Sequence, residues 1–327
     1  MGLLTPSERL QLHLIVGVLA LDAALLMRGP MTLGAADALK PLLAGAAATA
    51  AGLYYRHRRA EERLAVALIG TAHLIWFSCA IAVLNYLVVA FDRPLIDDTL
   101  LKWDQALGID WVELFVNLKG FPGLSQLLTI AYASSLLQIA IVVPVLALLG
   151  QVDRLDRFFL AFILAAAVTI GFWAAFPSFG AATHLFSTGA IVDLTGATVD
   201  RNYVQTLLAL KAGLTPHIEM AQMKGLIAFP SFHTVMAVLT VYAAAAVPRG
   251  WWPVVMWNSI VLLSVPVDGG HHVVDIAAGL VLAVAAIMAS ERICCRLARA
   301  NGPAAWPHTG AATATRYLSS PPGQRAA

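Results

Sequence analysis

Eight times between Leu10 and Ser290 the chain runs for roughly 18–25 mostly apolar residues, the length a helix needs to cross about 30 Å of hydrocarbon. Inside a bilayer the backbone must satisfy its own polar groups, and an uninterrupted apolar run of this length does so as a helix. The runs lie at about 10–28, 37–55, 64–91, 123–149, 157–176, 226–247, 252–268 and 271–290. They predict an all-α, polytopic membrane helical bundle of about eight spans. The first run could be a secretion signal, but its leading segment carries little charge and no small-residue cleavage site follows, so it is read as a span. With 59% of residues apolar and 12% charged, composition excludes an ordinary soluble domain. A formal net charge of +2, with no basic block among aromatics, gives no reason to expect a nucleic-acid partner.

Arginine placement orients the bundle. The connection R-H-R-R-A-E-E-R at 56–63, together with Arg154, Arg157, Arg249, Arg292, Arg296 and Arg299, marks turns of one parity. With Arg9, Arg316 and Arg325, that side holds most of the 21 Lys and Arg residues. Both termini are therefore expected in the cytoplasm, and the longest loops outside, as in a bacterial cell membrane. Four regions follow: accessory spans at 1–63, a third span with an outer interfacial segment at 64–122, a catalytic core at 123–299, and a disordered cytoplasmic tail at 300–327. In the outer segment, Asp97 or Asp98 is expected to cap a short amphipathic helix bearing Leu100, Leu101, Trp103 and Leu107. The loop 177–225 holds a second such stretch, R-N-Y-V-Q-T-L-L-A-L-K-A-G, ended by Gly213. Loops this long are uncommon unless they form lids or binding surfaces. The three cysteines set no disulfide framework: Cys79 lies in an apolar run, and Cys294 and Cys295 lie at a span end beside Arg292 and Arg296. Palmitoylation is conceivable at that pair, though two small residues at a helix end is the simpler reading.

Chemistry concentrates in two short stretches. F-P-S-F-H-T at 229–234 puts a proline and a capping serine at the outer start of the sixth span, with His233 in its first turn. G-G-H-H-V-V-D at 269–275 is a turn opening the eighth span, and His271 and Asp275, four apart, share a helix face. His272 could also reach Asp275 from three residues away. Two helix starts on one side of the membrane suggest an anion site of unpaired N–H groups, which Gly269 and Gly270 would let a phosphate approach. A carboxylate on one imidazole nitrogen frees the other for attack, and a second histidine can protonate a leaving oxygen. The simpler alternatives are a serine cap with an interfacial histidine, and a structural His–Asp pair. Asp22, His73, Asn85, Gln138 and Asn258 lie inside spans and read as interhelical hydrogen-bonding groups.

In this order and spacing, the two stretches resemble the type-2 phosphatidic acid phosphatase superfamily. The match is to its P-S-G-H motif (here P-S-F-H) and to the H-x-x-x-D end of its third motif. The wording is most similar to the branch of inositolphosphotransferases and sphingolipid synthases. The resemblance covers roughly residues 120–290 and implies a six-helix core, to which the first two spans are an addition. It implies His271 as nucleophile, Asp275 as its orienter, His233 as general acid and Ser231 as a phosphate ligand, with no cofactor and no metal. Val265 stands where the third motif carries arginine, and the lysine and arginine of the first motif are absent from F-W-A-A-F-P-S-F-G at 172–180. Lys224, Lys211 and Arg201 are the outer-loop charges left to replace them, Lys224 first because it lies seven residues before Ser231. Lost charge favours a phosphodiester, hence headgroup transfer between lipids. Hydrolysis of phosphatidic acid or an isoprenyl phosphate is the alternative, and a catalytically inactive lipid-binding protein a third. A transporter is disfavoured because the polar clusters sit at span ends and no inverted repeat is visible.

Overall fold

The computed structural model describes residues 3–301 except 90, 92, 192, 215 and 248–250, so the expected tail falls, from residue 302 on, outside the described residues. Thr5 caps the first helix, α1 (Pro6–Arg28), by a reciprocal bond with Glu8. A connection containing β1 (Thr32–Leu33) leads to α2 (Ala35–Tyr54), which continues as a π-helical turn, Tyr55–Arg59. Ala60, in the left-handed region at φ 54°, reverses the chain into α3 (Glu62–Val89). On the far side lie α4 (Asp97–Ala106) and α5 (Trp111–Lys119), followed by α6 (Pro122–Ala133), α7 (Ser135–Leu148) and α8 (Val152–Ala175). The long outer loop holds α9 (Ala181–Ser187), α10 (Arg201–Lys211) and β2 (His217–Ile218), which pairs parallel with β1. The chain closes with α11 (Phe232–Ala244), α12 (Trp251–Asp268) and α13 (Val273–Asn301).

The architecture is the all-α bundle expected. By length and apolarity, α1, α3, α8 and α13 can each cross a membrane, and α6 with α7 makes a fifth if the pair is one span. Each of the eight expected runs holds a helix, with three differences. The run at 123–149 bends by 49° at Ser134. There the hydroxyls of Ser134 and Ser135 bond back to the carbonyls of Ala131 (2.7 Å) and Tyr132 (2.9 Å), competing with the helical ladder. The run at 226–247 becomes helical only at Phe232, because Pro230 and Ser231 form the entry. The last run continues to Asn301, since nothing before Gly302-Pro303 breaks it. Cys294 is thus inside the last turns of α13. It is buried 3.9 Å from Ser7 and from Asp156.

Helix α8 lies at the centre, packed on α3, α13, α11 and α1, with Leu155, Phe158, Phe159 and Leu160 buried. Cross-helix hydrogen bonds arise where polar residues fall inside spans. His73 Nδ1 meets Gln11 Oε1 at 2.9 Å, and Asn258 Nδ2 donates to Gln138 Oε1 at 2.8 Å. Asp22 and Asn85 depart from that expectation: their Oδ1 atoms are buried without a partner among the described residues.

Candidate active site

Ser231 begins α11. Its Oγ accepts from the Thr234 N–H at 3.4 Å, and its own N–H donates to the Asp275 carbonyl at 3.1 Å. That second bond ties the start of α11 to the first turn of α13, two elements forty residues apart in sequence. Gly279 permits the approach, since a Cβ there would lie 2.6 Å from the Ser231 carbonyl oxygen. His233 projects from the same turn of α11 and stacks on Tyr132 of α6, with ring centroids 4.0 Å apart.

Across from it, His271 presents Nδ1 to Asp275 Oδ2 at 3.1 Å, both side chains buried. The His233 and His271 rings are 6.5 Å apart, centroid to centroid. Nδ1 being engaged by the carboxylate, Nε2 is the nitrogen of His271 left for chemistry. The turn carrying it is held from two sides. Trp111 Nε1 donates to the His271 carbonyl at 3.0 Å, and the Ala182 N–H donates to the Gly270 carbonyl at 3.1 Å. Gly270 adopts φ +65° and would place a Cβ 2.7 Å from Ala182, so only glycine fits the turn against α9.

His272 is directed away from Asp275. Its backbone N–H donates to Asp275 Oδ2 at 3.0 Å, while its ring lies between Asp97 (Nε2 to Oδ1, 3.4 Å) and Asp104 (Nδ1 to Oδ2, 3.5 Å). Neither ring contact has hydrogen-bond geometry, so the attraction is between charges. Burial pushes the imidazole pKa down, but Asp104 and Asp97 outweigh it and carry the group up to about 9. The ring that pairs with Asp275 is therefore that of His271.

The two acids bind backbone as well. Asp97 does not cap α4, whose N-cap is Ile96 without a side-chain bond. It accepts instead from Ser178 Oγ (2.8 Å) and from the N–H groups of Phe179 (3.1 Å) and Gly180 (2.8 Å). Asp104 accepts from the N–H groups of Val273 (2.9 Å) and Val274 (3.0 Å), and so caps α13 from another helix. The expected anion site at paired helix starts is corrected accordingly: the α13 start is filled by Asp104 and Asp275. At these two helix starts, the N–H groups with no acceptor among the described residues are those of Phe232 and His233 on α11 and of Gly270 and His271 in the turn.

Of the outer-loop cations, none forms an ion pair, hydrogen bond or ring contact with Ser231, His233, His271 or Asp275 among the described residues. Lys224 lies over the Tyr203 ring at 5.7 Å, and Arg201 over Phe186 at 5.6 Å. Lys211 lies over Phe179 at 5.7 Å and donates to the Arg93 carbonyl at 3.2 Å. Lys211 connects to the turn through Phe179, which adjoins Gly180, and Gly180 packs on Gly270. A further cation, Lys119, escaped the sequence reading. It is buried at the end of α5, donating to Asp268 Oδ1 (2.7 Å), the Gly196 carbonyl (2.7 Å) and Thr129 Oγ1 (3.0 Å). All three of its donors are thus committed to the protein.

No curated protein and no solved structure matches this chain. A family model described as the PAP2 superfamily matches residues 98–289, well over half the chain and beginning some twenty residues upstream of the expected region. The match takes in α4 with Asp104, both histidine stretches and the turn between α12 and α13, and the chain belongs to the PAP2 superfamily.

Proposed function

We propose that this chain is an integral-membrane phosphoryl-transfer enzyme acting on a phospholipid or isoprenyl phosphate ester through a phosphohistidine on His271. Superfamily membership supports phosphatase or phosphoryl-transfer chemistry on phosphate-bearing lipids. The observation carrying the finer reading is the pairing of His271 Nδ1 with Asp275 at 3.1 Å beside the His233 ring. His271 Nε2 attacks phosphorus, forming a P–N bond as the P–O bond to the lipid alcohol breaks, and His233 gives its proton to the departing oxygen. A hydroxyl then attacks phosphorus, returning a proton to His233 and releasing His271. Asp275 holds the imidazole tautomer and offsets the positive charge that develops on the ring. Ser231 and the free N–H groups of Phe232, His233, Gly270 and His271 face developing negative charge on the phosphoryl oxygens. Lys211, Lys224 and Arg201 remain the candidate cations of the loop above.

Transfer of a lipid headgroup to a second alcohol is the reading favoured over hydrolysis. Val265, where the superfamily motif carries arginine, is fully buried and brings no charge, which suits a phosphodiester better than a doubly charged monoester. Incubating purified protein with labelled phosphatidic acid, phosphatidylinositol and an isoprenyl phosphate separates the outcomes by released phosphate and by new lipid products. Acid-labile label on wild-type protein, absent from His271→Ala, supports the intermediate. Turnover equal in wild type and His271→Ala would falsify the proposal.

A further inference from the structure

We infer that a cleft at the arginine-rich end of the bundle is a binding site for an anionic phospholipid, distinct from the candidate active site. Helix α8 separates the two. Its first residue, Val152, follows the turn beside the cleft, and its far end leads to Ser178–Gly180 under His272, so its 24 residues span about 36 Å. The cleft encloses about 1000 Å³ between α3 and α7. Its apolar lining includes Leu68, Val143 and Ala147, and its mouth carries Arg59, Glu61 and Arg63. From Arg63 down to Thr71, the lining descends about two turns of α3, or roughly 12 Å, which is acyl-chain rather than headgroup depth.

The mouth is built for charge that the protein leaves unmatched. Arg56, from the same R-H-R-R run, is committed to Glu8 (2.7 Å) and Glu62 (2.6 Å). Arg59 and Arg63 have no acidic partner among the described residues, and Glu61 between them reaches neither within ion-pair distance. The π-helical turn Tyr55–Arg59 and the left-handed Ala60 swing Arg59 round to the side of Arg63, whose stem runs along the turn at Gly150. Two guanidinium groups over an apolar shaft match a phosphate headgroup with a hydrocarbon tail. A free phosphate would have no use for the shaft, and a neutral headgroup none for the surplus charge. Such a lipid would join α3, which lies outside the superfamily match, to α7, which lies within it.

The test titrates delipidated, detergent-purified protein with phosphatidylglycerol, phosphatidylcholine and glycerol 3-phosphate, following Tm. Each is repeated for His271→Ala, so that turnover cannot consume the lipid. Phosphatidylglycerol is expected to raise Tm by about 5 °C in both backgrounds, and the other two by less than about 1 °C. Arg59→Gln/Arg63→Gln is expected to lose the rise. So is Ala67→Trp, which keeps both arginines and fills the shaft. A rise of equal size with phosphatidylcholine, a rise with glycerol 3-phosphate, a rise lost in His271→Ala alone, or a rise kept in both cleft variants overturns the inference.

Discussion

In the proposed reaction His271 and His233 have opposite tasks, and their neighbours differ. His271 has a buried carboxylate on Nδ1, whereas His233 is stacked on the face of Tyr132. Removing the acid should therefore matter in proportion to how much the leaving group needs a proton. His233→Ala is expected to slow release of a lipid alcohol by about 10²–10⁴ while slowing a nitrophenyl ester by less than about tenfold. Equal losses on both substrates would remove His233 from the proton-transfer role. Asp275→Asn keeps the shape but reverses the donor pattern toward Nδ1, and kcat is expected to fall by about 10³ or more with KM little changed. Tyr132→Phe should retain the stack on His233 and most activity, and Tyr132→Ala should not; steady-state rates compare the two. The histidines and their carboxylate were legible in sequence because each relation is local: a serine cap two residues from a histidine, and a His–Asp pair one helical turn apart. Tyr132 was not. Its stacking partner lies a hundred residues on, and no periodicity connects α6 to α11.

Helix α4 shows how an element can support a site without supplying a reacting group. Asp97, Leu100 and Asp104 form one buried stripe at spacings of three and four, although Asp97 and Asp104 are acids. That pattern was visible in the sequence as an amphipathic helix, but Asp97 read as a possible cap and Asp104 was given no role. Two acids in line with a buried leucine were the available signal. What they hold, the start of α13 and the 178–180 backbone, depends on tertiary contacts 80 to 170 residues away in sequence. Asp104→Ala removes the cap of α13 and leaves a buried imidazolium short of one counter-charge. It is expected to cost on the order of 2–4 kcal/mol in thermal or denaturant unfolding. His272 adds a pH signature. Its folded pKa, about 9, lies above the ordinary 6.5, so its charge stabilises fully below about pH 6.5 and that stability is lost as pH rises through about 9. Wild-type Tm should decline from pH 7 to 9.5, and His272→Gln should flatten the decline. A slope identical in both proteins would show that the ring is not charged between Asp97 and Asp104.

At the scale of the molecule, the apolar runs fixed where helices form but not where they break or end. The bend at Ser134 depends on hydroxyls bonding backward, and the length of α13 on the absence of a stop before Gly302. The superfamily match covers α4 through most of α13, yet α3 packs along α8, so the first three helices are part of the bundle's wall and not a detached appendage. Charge predicts the orientation. The turns joining α2 to α3 and α7 to α8, and the end of α13, carry the arginines, while the histidine turn lies at the other end of α8. We propose that the arginine-rich end lies in the cytoplasm, which would face the candidate site outward. A reporter alkaline phosphatase fused after residue 270 should be active and one fused after residue 152 silent. Truncated fusions can insert abnormally, so the full chain provides the stronger version. Leu214, 74% exposed in the long outer loop, becomes a probe as Leu214→Cys, and Cys295, exposed near the end of α13, is its internal control. An impermeant maleimide should label Leu214→Cys in intact cells and leave wild-type protein, with Cys295, unlabelled until the cells are lysed. Labelling of wild type in intact cells, with the loop cysteine reacting only after lysis, reverses the bundle and sends the lipid phosphate to the opposite leaflet.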